Sequence, residues 1–250
     1  MPEGDALHRA AERLRVLEGE VVAVETPHPR AAVLRLPERL DGLRLERVEA
    51  VGKNLLLRFE GGLLLRSHLR MSGRWRVQAA GQEPYGTPWL VLRGAERQAV
   101  LWNGPVLELT RGRSPAVVRL GPDVLADPPD EEAMVARLRG SGPSRQVGDA
   151  LLDQRLLSGI GNMWKAEILF EAEISPWRPI GELSERELER IVGEATRLMR
   201  GGRRSHRVYR RAGRPCPRCG AAIRSYPQGD EARMAYWCPG CQAGTGPLKA

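Results

Sequence analysis

Hydrophobic and polar positions change their period along this chain. After Asp5, placed to cap a helix, apolar residues at Leu7, Ala10, Ala11, Leu14 and Leu17 recur at helical spacing until Gly19 supplies a stop. From Val21 to about Thr110 the pattern shortens to runs rich in Val and Leu: VVAVET, AVLRL, NLLLRF, GLLLRSHL, WLVLRG and VLELT. Glycine, proline and charged residues separate them, and Gly61-Gly62 reads as a hairpin. The succession predicts antiparallel sheets packed as a sandwich. GPDVLADPPDEE then reads as a linker, with a boundary near residue 125. Beyond it EEAMVARLR, GDALLDQRLL and MWKAEILFEA are predicted helices, and Ser184 with Glu187 forms a capping box ahead of ELERIVGEATRLMR. The class expected is α+β multidomain.

Charge narrows this picture. The net charge is +8, and thirty-six of the thirty-nine basic residues are Arg, leaving Lys53, Lys165 and Lys249. A GC-rich genome accounts for such a bias as readily as phosphate binding does, though arginine suits bidentate phosphate contacts. No apolar run approaches the roughly 18 residues of a membrane span, and the amino terminus lacks a signal-peptide layout, so a soluble intracellular protein is expected.

Cys216-Pro-Arg-Cys219 and Cys238-Pro-Gly-Cys241 match a four-thiolate tetrahedral zinc site carried on turns around a β-hairpin. Such a zinc is structural, since four thiolates leave no open position; a redox pair would require a βαβ setting that is not evident. Nine arginines fall between residues 200 and 224, at 200, 203, 204, 207, 210, 211, 214, 218 and 224, with no Asp or Glu among them. A run of one sign leading into a zinc hairpin points to a polyanion, with a solvated face as the alternative. In LLSGIGNMWKAEILF, Gly159, Gly161 and Asn162 stand where a helix start could receive a phosphate, or where a plain interhelical turn would suffice. Pro2 would offer a secondary amine once Met1 is removed. An α-amino group titrates at about 7.7 to 8.0 against about 10.4 for lysine, and a helix N-terminus lowers it further. Pro2 is then a candidate nucleophile and Glu3 its adjacent proton carrier, although proline at position two is innocent in most chains.

Together MPEGD, VGKNLL around Lys53, SHLRMSGRW around Met71, RLGPDVL from Arg119, LLDQRLLSGIGN ending at Asn162, and GRPCPRCG with YWCPGCQ resemble the formamidopyrimidine-DNA glycosylase and endonuclease VIII family. The match runs from residue 2 to Gln242 in the family's order, and the MPEGD start leans toward the endonuclease VIII branch. The resemblance implies an amino-terminal β-sandwich with flanking helices over 1–125, a helix-two-turn-helix domain over 126–205 and a zinc-finger hairpin over 206–250, with DNA held in a cleft. It implies a bifunctional base-excision enzyme for oxidised bases, pyrimidines on this branch and 8-oxoguanine on the other, or a damaged-DNA-binding protein of the same architecture. The implied roles are Pro2 as nucleophile at C1′, Glu3 as proton donor for ring opening, Lys53 in β-elimination and Arg233 on phosphate in δ-elimination. Arg70, Arg119, Gly161 and Asn162 would contact DNA, and Met71 would fill the gap left by the extruded base. One structural zinc on Cys216, Cys219, Cys238 and Cys241, no catalytic metal, a monomer acting on double-stranded DNA with oxidised or abasic sites, and a bacterial cytoplasmic location at the nucleoid complete the expectation. Two departures stand out: Ala6 occupies a position where members often carry a carboxylate, and Arg70 one where endonuclease VIII carries Gln.

Overall fold

The computed structural model describes residues 2–202, 205–242, 244, 246 and 247. The chain forms two compact units, one up to Arg119 and one from Leu120 on.

In the first unit helix α1 (Gly4–Leu14) buries Leu7, Ala10, Ala11 and Leu14. Its N-cap is Glu3, in extended backbone (φ −119°, ψ −174°), so the helix begins before the expected cap at Asp5. Asp5 lies in the first turn, where its carboxylate complements the helix dipole and receives Arg9 Nη2 at 2.7 Å, an i,i+4 pair. Eight antiparallel strands follow: β1 (Val21–Glu25), β2 (Leu43–Val51), β3 (Asn54–Phe59), β4 (Leu63–His68), β5 (Arg74–Ala79), β6 (Leu90–Arg93), β7 (Arg97–Trp102) and β8 (Val106–Arg111). Their order is β5-β7-β6-β1-β2-β3-β4-β8. β1 is the hinge of the arrangement, because Val21 and Val22 pair with β2 whereas Ala23, Val24 and Glu25 pair with β6. One core takes side chains from both halves of the sheet, Leu45, Leu55, Leu57, Phe59 and Leu65 from one and Leu90, Leu92, Ala99 and Leu101 from the other, with α1 packed on it. This is the expected sandwich, and Gly61 and Gly62 join β3 to β4 with φ of 72° and 73°.

AVLRL is not a strand. Two short helical turns, Pro29–Ala32 and Pro37–Leu40, occupy this region, each opened by a proline that fixes φ and has no N–H for a ladder; Val33 between them is 75% exposed. Conversely, β2 was hidden in LRLERVEAV by its charges, which point away from the core while Leu45 and Val48 are buried.

The second unit contains α2 (Glu131–Arg139), α3 (Asn162–Glu171) and α4 (Glu185–Gly201), packed around Met134, Leu138, Trp164, Ile168, Leu188 and Ile191. The expected linker is woven into it: Gly121 N–H donates to Gln154 O (2.9 Å), Val124 N–H to Ser158 O (3.2 Å), and Val124 is fully buried. Of GDALLDQRLL only the first three residues are helical, at the end of the turn Val147–Ala150. Asp153 Oδ1 accepts the Arg155 N–H at 3.0 Å, a local side-chain bond that competes with the helix ladder. The capping box at α4 is formed, with Ser184 N–H donating to Glu187 Oε2 (2.8 Å) and Glu187 N–H to Ser184 Oγ (3.3 Å). The Arg178 guanidinium and the Ser184 N–H bring the Glu187 carboxyl down to about 2. A separate hairpin, β9 (Arg224–Gln228) with β10 (Arg233–Trp237), completes the unit. Among the described residues no helix is long and apolar enough to cross a membrane.

Candidate active site and nucleic-acid interface

Pro2 and Glu3 stand at the positive end of α1, and Glu3 is 1% exposed, so the residue that follows the candidate nucleophile holds its carboxyl out of water. Ala6 is half-buried against the sandwich core, offering no polar group at that turn.

At one end of the sheet β2 and β3 are joined through Gly52 and Lys53, between the paired residues Val51 and Asn54. This turn is braced from below. Arg66 on β4 donates through Nη1 to Asn54 Oδ1 (2.8 Å) and through Nε to Glu108 Oε2 on β8 (2.6 Å), and Asn54 Nδ2 donates to Val51 O (3.2 Å). β4 ends at His68 beside this turn, and the chain then makes the loop Leu69–Gly73. Leu69 is buried and anchors it, Arg70 takes φ 48°, and its N–H donates to His68 Nδ1 at 3.0 Å. Gly73 closes the loop by donating to Leu69 O (2.9 Å); a Cβ there would lie 2.6 Å from Leu69 O and 2.7 Å from Asn103 O, so only glycine fits. Met71 is therefore presented at a loop, 63% exposed, with Arg70 exposed next to it. An apolar side chain on a tight, cationic loop suits insertion into a base stack. Arg119, also exposed, caps the helical turn Pro115–Val118.

His68, which none of the sequence motifs singles out, stands among the cations of this loop. Burial, then the charges of Arg70, Arg66 and Lys53, lower its imidazole from 6.5 to about 4. It is neutral at physiological pH; with Nδ1 accepting, Nε2 carries the proton and is a donor among cations, a natural place for a phosphate oxygen. In the window between about 6.5 and about 4 the unfolded imidazole binds a proton that the folded one refuses, so stability is lost as pH falls through it. His68→Asn, whose Oδ1 can accept the Arg70 N–H, is expected to lose less stability over that window. Urea unfolding of both proteins at a series of pH values checks this, and parallel pH curves would contradict it.

In the second unit Gly161 is the N-cap of α3 and Asn162 its first residue. Gly161 is in extended backbone (φ −119°), whereas Gly159 at φ 107° is the glycine the turn requires. Asn162 Nδ2 donates to Met234 O on β10 (2.9 Å), so the start of α3 is tied to the hairpin. Arg233, half exposed at the first position of β10, is paired through Nε with Glu231 Oε2 at 2.9 Å. Exposed pairs of this kind contribute roughly 0–1 kcal/mol, so a phosphate can displace Glu231 readily.

The four cysteines converge, every Sγ lying within 4.8 Å of the others, with Cys216–Cys241 at 3.8 Å and Cys219–Cys238 at 3.4 Å. Thiolates at about 2.3 Å from a tetrahedral ion are separated by about 3.8 Å, so the cluster fits a zinc ion. Burial pushes the Cys238 and Cys241 thiols up, and a cation that takes the thiolates directly is what this donor set accommodates. Cys238 N–H donates to Gln242 Oε1 (2.9 Å) and Gln242 Nε2 to Ile174 O (2.9 Å), which pins the second knuckle to the helical body.

The arginine run is less uniform than its sequence. Arg218 pairs with Glu171 (3.1 Å) and Glu173 (2.7 Å) and lies 4.5 Å from the Phe170 ring centroid; Arg207 reaches Glu171 at 3.8 Å, and Arg200 reaches Asp127 at 3.7 Å. The fold thus compensates charge that the run lacks locally, while Arg210, Arg214 and Arg224 remain exposed. Arg203 and Arg204 lie outside the described residues. Glu167, fully buried on α3, accepts the backbone N–H groups of Arg207, Val208 and Tyr209 at 2.9–3.1 Å and fixes the lead-in to the hairpin.

Residues 1–105 match the formamidopyrimidine-DNA glycosylase N-terminal domain and residues 120–207 the formamidopyrimidine-DNA glycosylase H2TH domain. A probable endonuclease 8 2 of Streptomyces coelicolor is 42% identical, covering 99% of this chain and 96% of the relative. The DNA-(apurinic or apyrimidinic site) lyase Nei2 of Mycolicibacterium smegmatis is 36% identical over 97% of this chain and 99% of its own. Among solved structures, Lactococcus lactis Fpg (MutM) in complex with a DNA containing N7-benzyl-Fapy-dG has the same fold, with a TM-score of 0.82 at 24% identity over 97% of this chain and 100% of that one. A β-sandwich unit opened by a buried carboxyl at its first helix, with a helical unit carrying a four-thiolate hairpin, defines a DNA-repair enzyme of the glycosylase and lyase class. The chain belongs to the formamidopyrimidine-DNA glycosylase family.

Proposed function

We propose that this protein excises oxidised bases, pyrimidines above all, from double-stranded DNA and then cuts the strand at the abasic site. Pro2, freed of Met1, attacks C1′ of the extruded nucleotide; the glycosidic electron pair leaves with the base, which takes up a proton. Glu3 delivers a proton to the ring oxygen as the sugar opens, leaving an iminium between the Pro2 nitrogen and C1′. The positive nitrogen acidifies C2′–H. Loss of that proton, with Lys53 serving this step, breaks the C3′–O bond, whose electron pair leaves on the 3′ phosphate. Loss of the C4′ proton then breaks C5′–O, with Arg233 neutralising the departing 5′ phosphate, and water hydrolyses the iminium to free Pro2.

Arg70, Arg119, Gly161 and Asn162 bind the DNA backbone, and Met71 occupies the stack vacated by the base, offsetting part of the few kcal/mol that extrusion costs. One zinc ion on Cys216, Cys219, Cys238 and Cys241 holds the hairpin that carries Arg233, and the chemistry runs on the protein's own amine and carboxyl. The observation that carries the mechanism is Glu3, 1% exposed at the helix start, adjacent to Pro2. The pyrimidine preference follows from the resemblance to the endonuclease VIII branch, with which the endonuclease 8 names of the relatives agree.

Borohydride trapping on duplexes containing thymine glycol or 8-oxoguanine tests the reading. The pyrimidine lesion is expected to give the faster adduct by at least about tenfold, the scale on which a binding pocket discriminates. Faster trapping on 8-oxoguanine would assign the formamidopyrimidine preference instead. Tight binding with no adduct on either duplex would make this a damaged-DNA-binding protein.

A further inference from the structure

Lysine is among the residues least often fully buried, and Lys165, one turn into α3 from Asn162, is 1% exposed. Its Nζ lies 3.5 Å from Oε1 of Gln228, the last residue of β9, itself 4% exposed. Gln228 is inserted into the helical body: its Nε2 donates to Pro176 O (2.8 Å) and to Gln146 Oε1 (2.9 Å). Gly148 makes room for it, because a Cβ there would meet Gln228 Oε1 at 2.4 Å. Across the hairpin the residue paired with Gln228 is Arg233. The neighbouring residue on β10, Met234, is the one held by Asn162 through its carbonyl. One helix thus grips both strands of the hairpin at the rung that bears Arg233.

We propose that Lys165 is a positioning residue for Arg233. By seating Gln228 it sets the register of the hairpin tip against α3, so that Arg233 and Asn162 present themselves to DNA as one rigid phosphate clamp. The proposal rests on the reading of Arg233 as the group that assists the second elimination. Its consequence is chemical rather than merely structural: Lys165 governs how the iminium partitions between product released after C3′–O cleavage alone and product released after C5′–O cleavage as well.

Lys165→Met removes one member of a buried polar pair and leaves Gln228 Oε1 without that donor, so it costs stability, and positioning is read from a quantity that does not depend on how much protein is folded. Full-length Lys165→Met is expected to melt below the wild-type temperature, and its folded fraction is expected to carry out the first elimination on an abasic-site duplex within about twofold of the wild-type rate. The ratio of doubly to singly eliminated product should fall by about tenfold; a 1 Å misplacement of a catalytic group can cost on the order of a hundredfold. That ratio is independent of the fraction of active protein, so misfolding cannot imitate the effect. Lys165→Arg should recover part of it, and Gln228→Met should reproduce the loss, deciding the matter if Lys165→Met does not fold. A wild-type product ratio in Gln228→Met and in any folded Lys165→Met would overturn the proposal. Arg233→Ala is run alongside: if it leaves the ratio unchanged, the reading of Arg233 fails first, and the positioning role with it.

Discussion

Replacement of Pro2 by Ala is expected to lower the yield of borohydride-trapped protein–DNA adduct by a hundredfold or more, the order of magnitude seen when a nucleophile is removed. A proline nitrogen forms an iminium that is cationic by constitution, whereas the primary amine left by Ala forms an imine that must be protonated before it withdraws electrons. The proline ring also fixes the approach of the nitrogen at the start of α1, next to the buried carboxyl of Glu3. The measurement is gel separation of trapped adduct on an abasic-site duplex, followed by peptide mapping. Adduct at wild-type yield in Pro2→Ala, mapped to Lys53, would move the nucleophile elsewhere.

Loss of zinc is expected to weaken DNA binding by at least about a hundredfold while leaving the sandwich folded. A two-stranded hairpin is only marginally stable alone, and structural zinc contributes about 10–16 kcal/mol in isolated zinc-finger peptides. Here the hairpin rests on a small core of Ala166, Phe170, Val208, Cys216, Ile223 and Cys238, two of which are the ligands themselves. The sandwich has its own core, contributed by α1 and both halves of the sheet. Cys238→Ser, at a fully buried position, should therefore release the hairpin and with it Arg233, with the β-sheet circular dichroism retained. Titration of a fluorescent abasic-site duplex, with zinc content verified by metal analysis, checks the outcome. Undiminished affinity after verified metal loss would remove the hairpin from the DNA-binding surface.

Much of this protein is legible in its sequence. The helical period through Leu17, the run NLLLRF, the Ser184 capping box and the paired CxxC motifs are local signals: each depends on residues within a few positions of one another, and the same physics acts in the chain and in the fold. Local pattern alone is enough for the sandwich, the helical unit, the paired cysteines and the candidacy of Pro2. It could not determine β2, whose charged residues break the apolar pattern yet face solvent, nor that AVLRL would yield to the prolines on either side of it.

The long-range partnerships come from packing. The brace from Glu108 through Arg66 to the Lys53 turn, the pairing of Arg218 with Glu171 and Glu173, and the burial of Lys165 against Gln228 each join residues far apart in the chain. An ionisable or amide side chain has no periodicity that announces its partner. Whether it ends in water, on a phosphate or against another buried group depends on which strand or helix packing brings beside it, and no spacing within the chain carries that information.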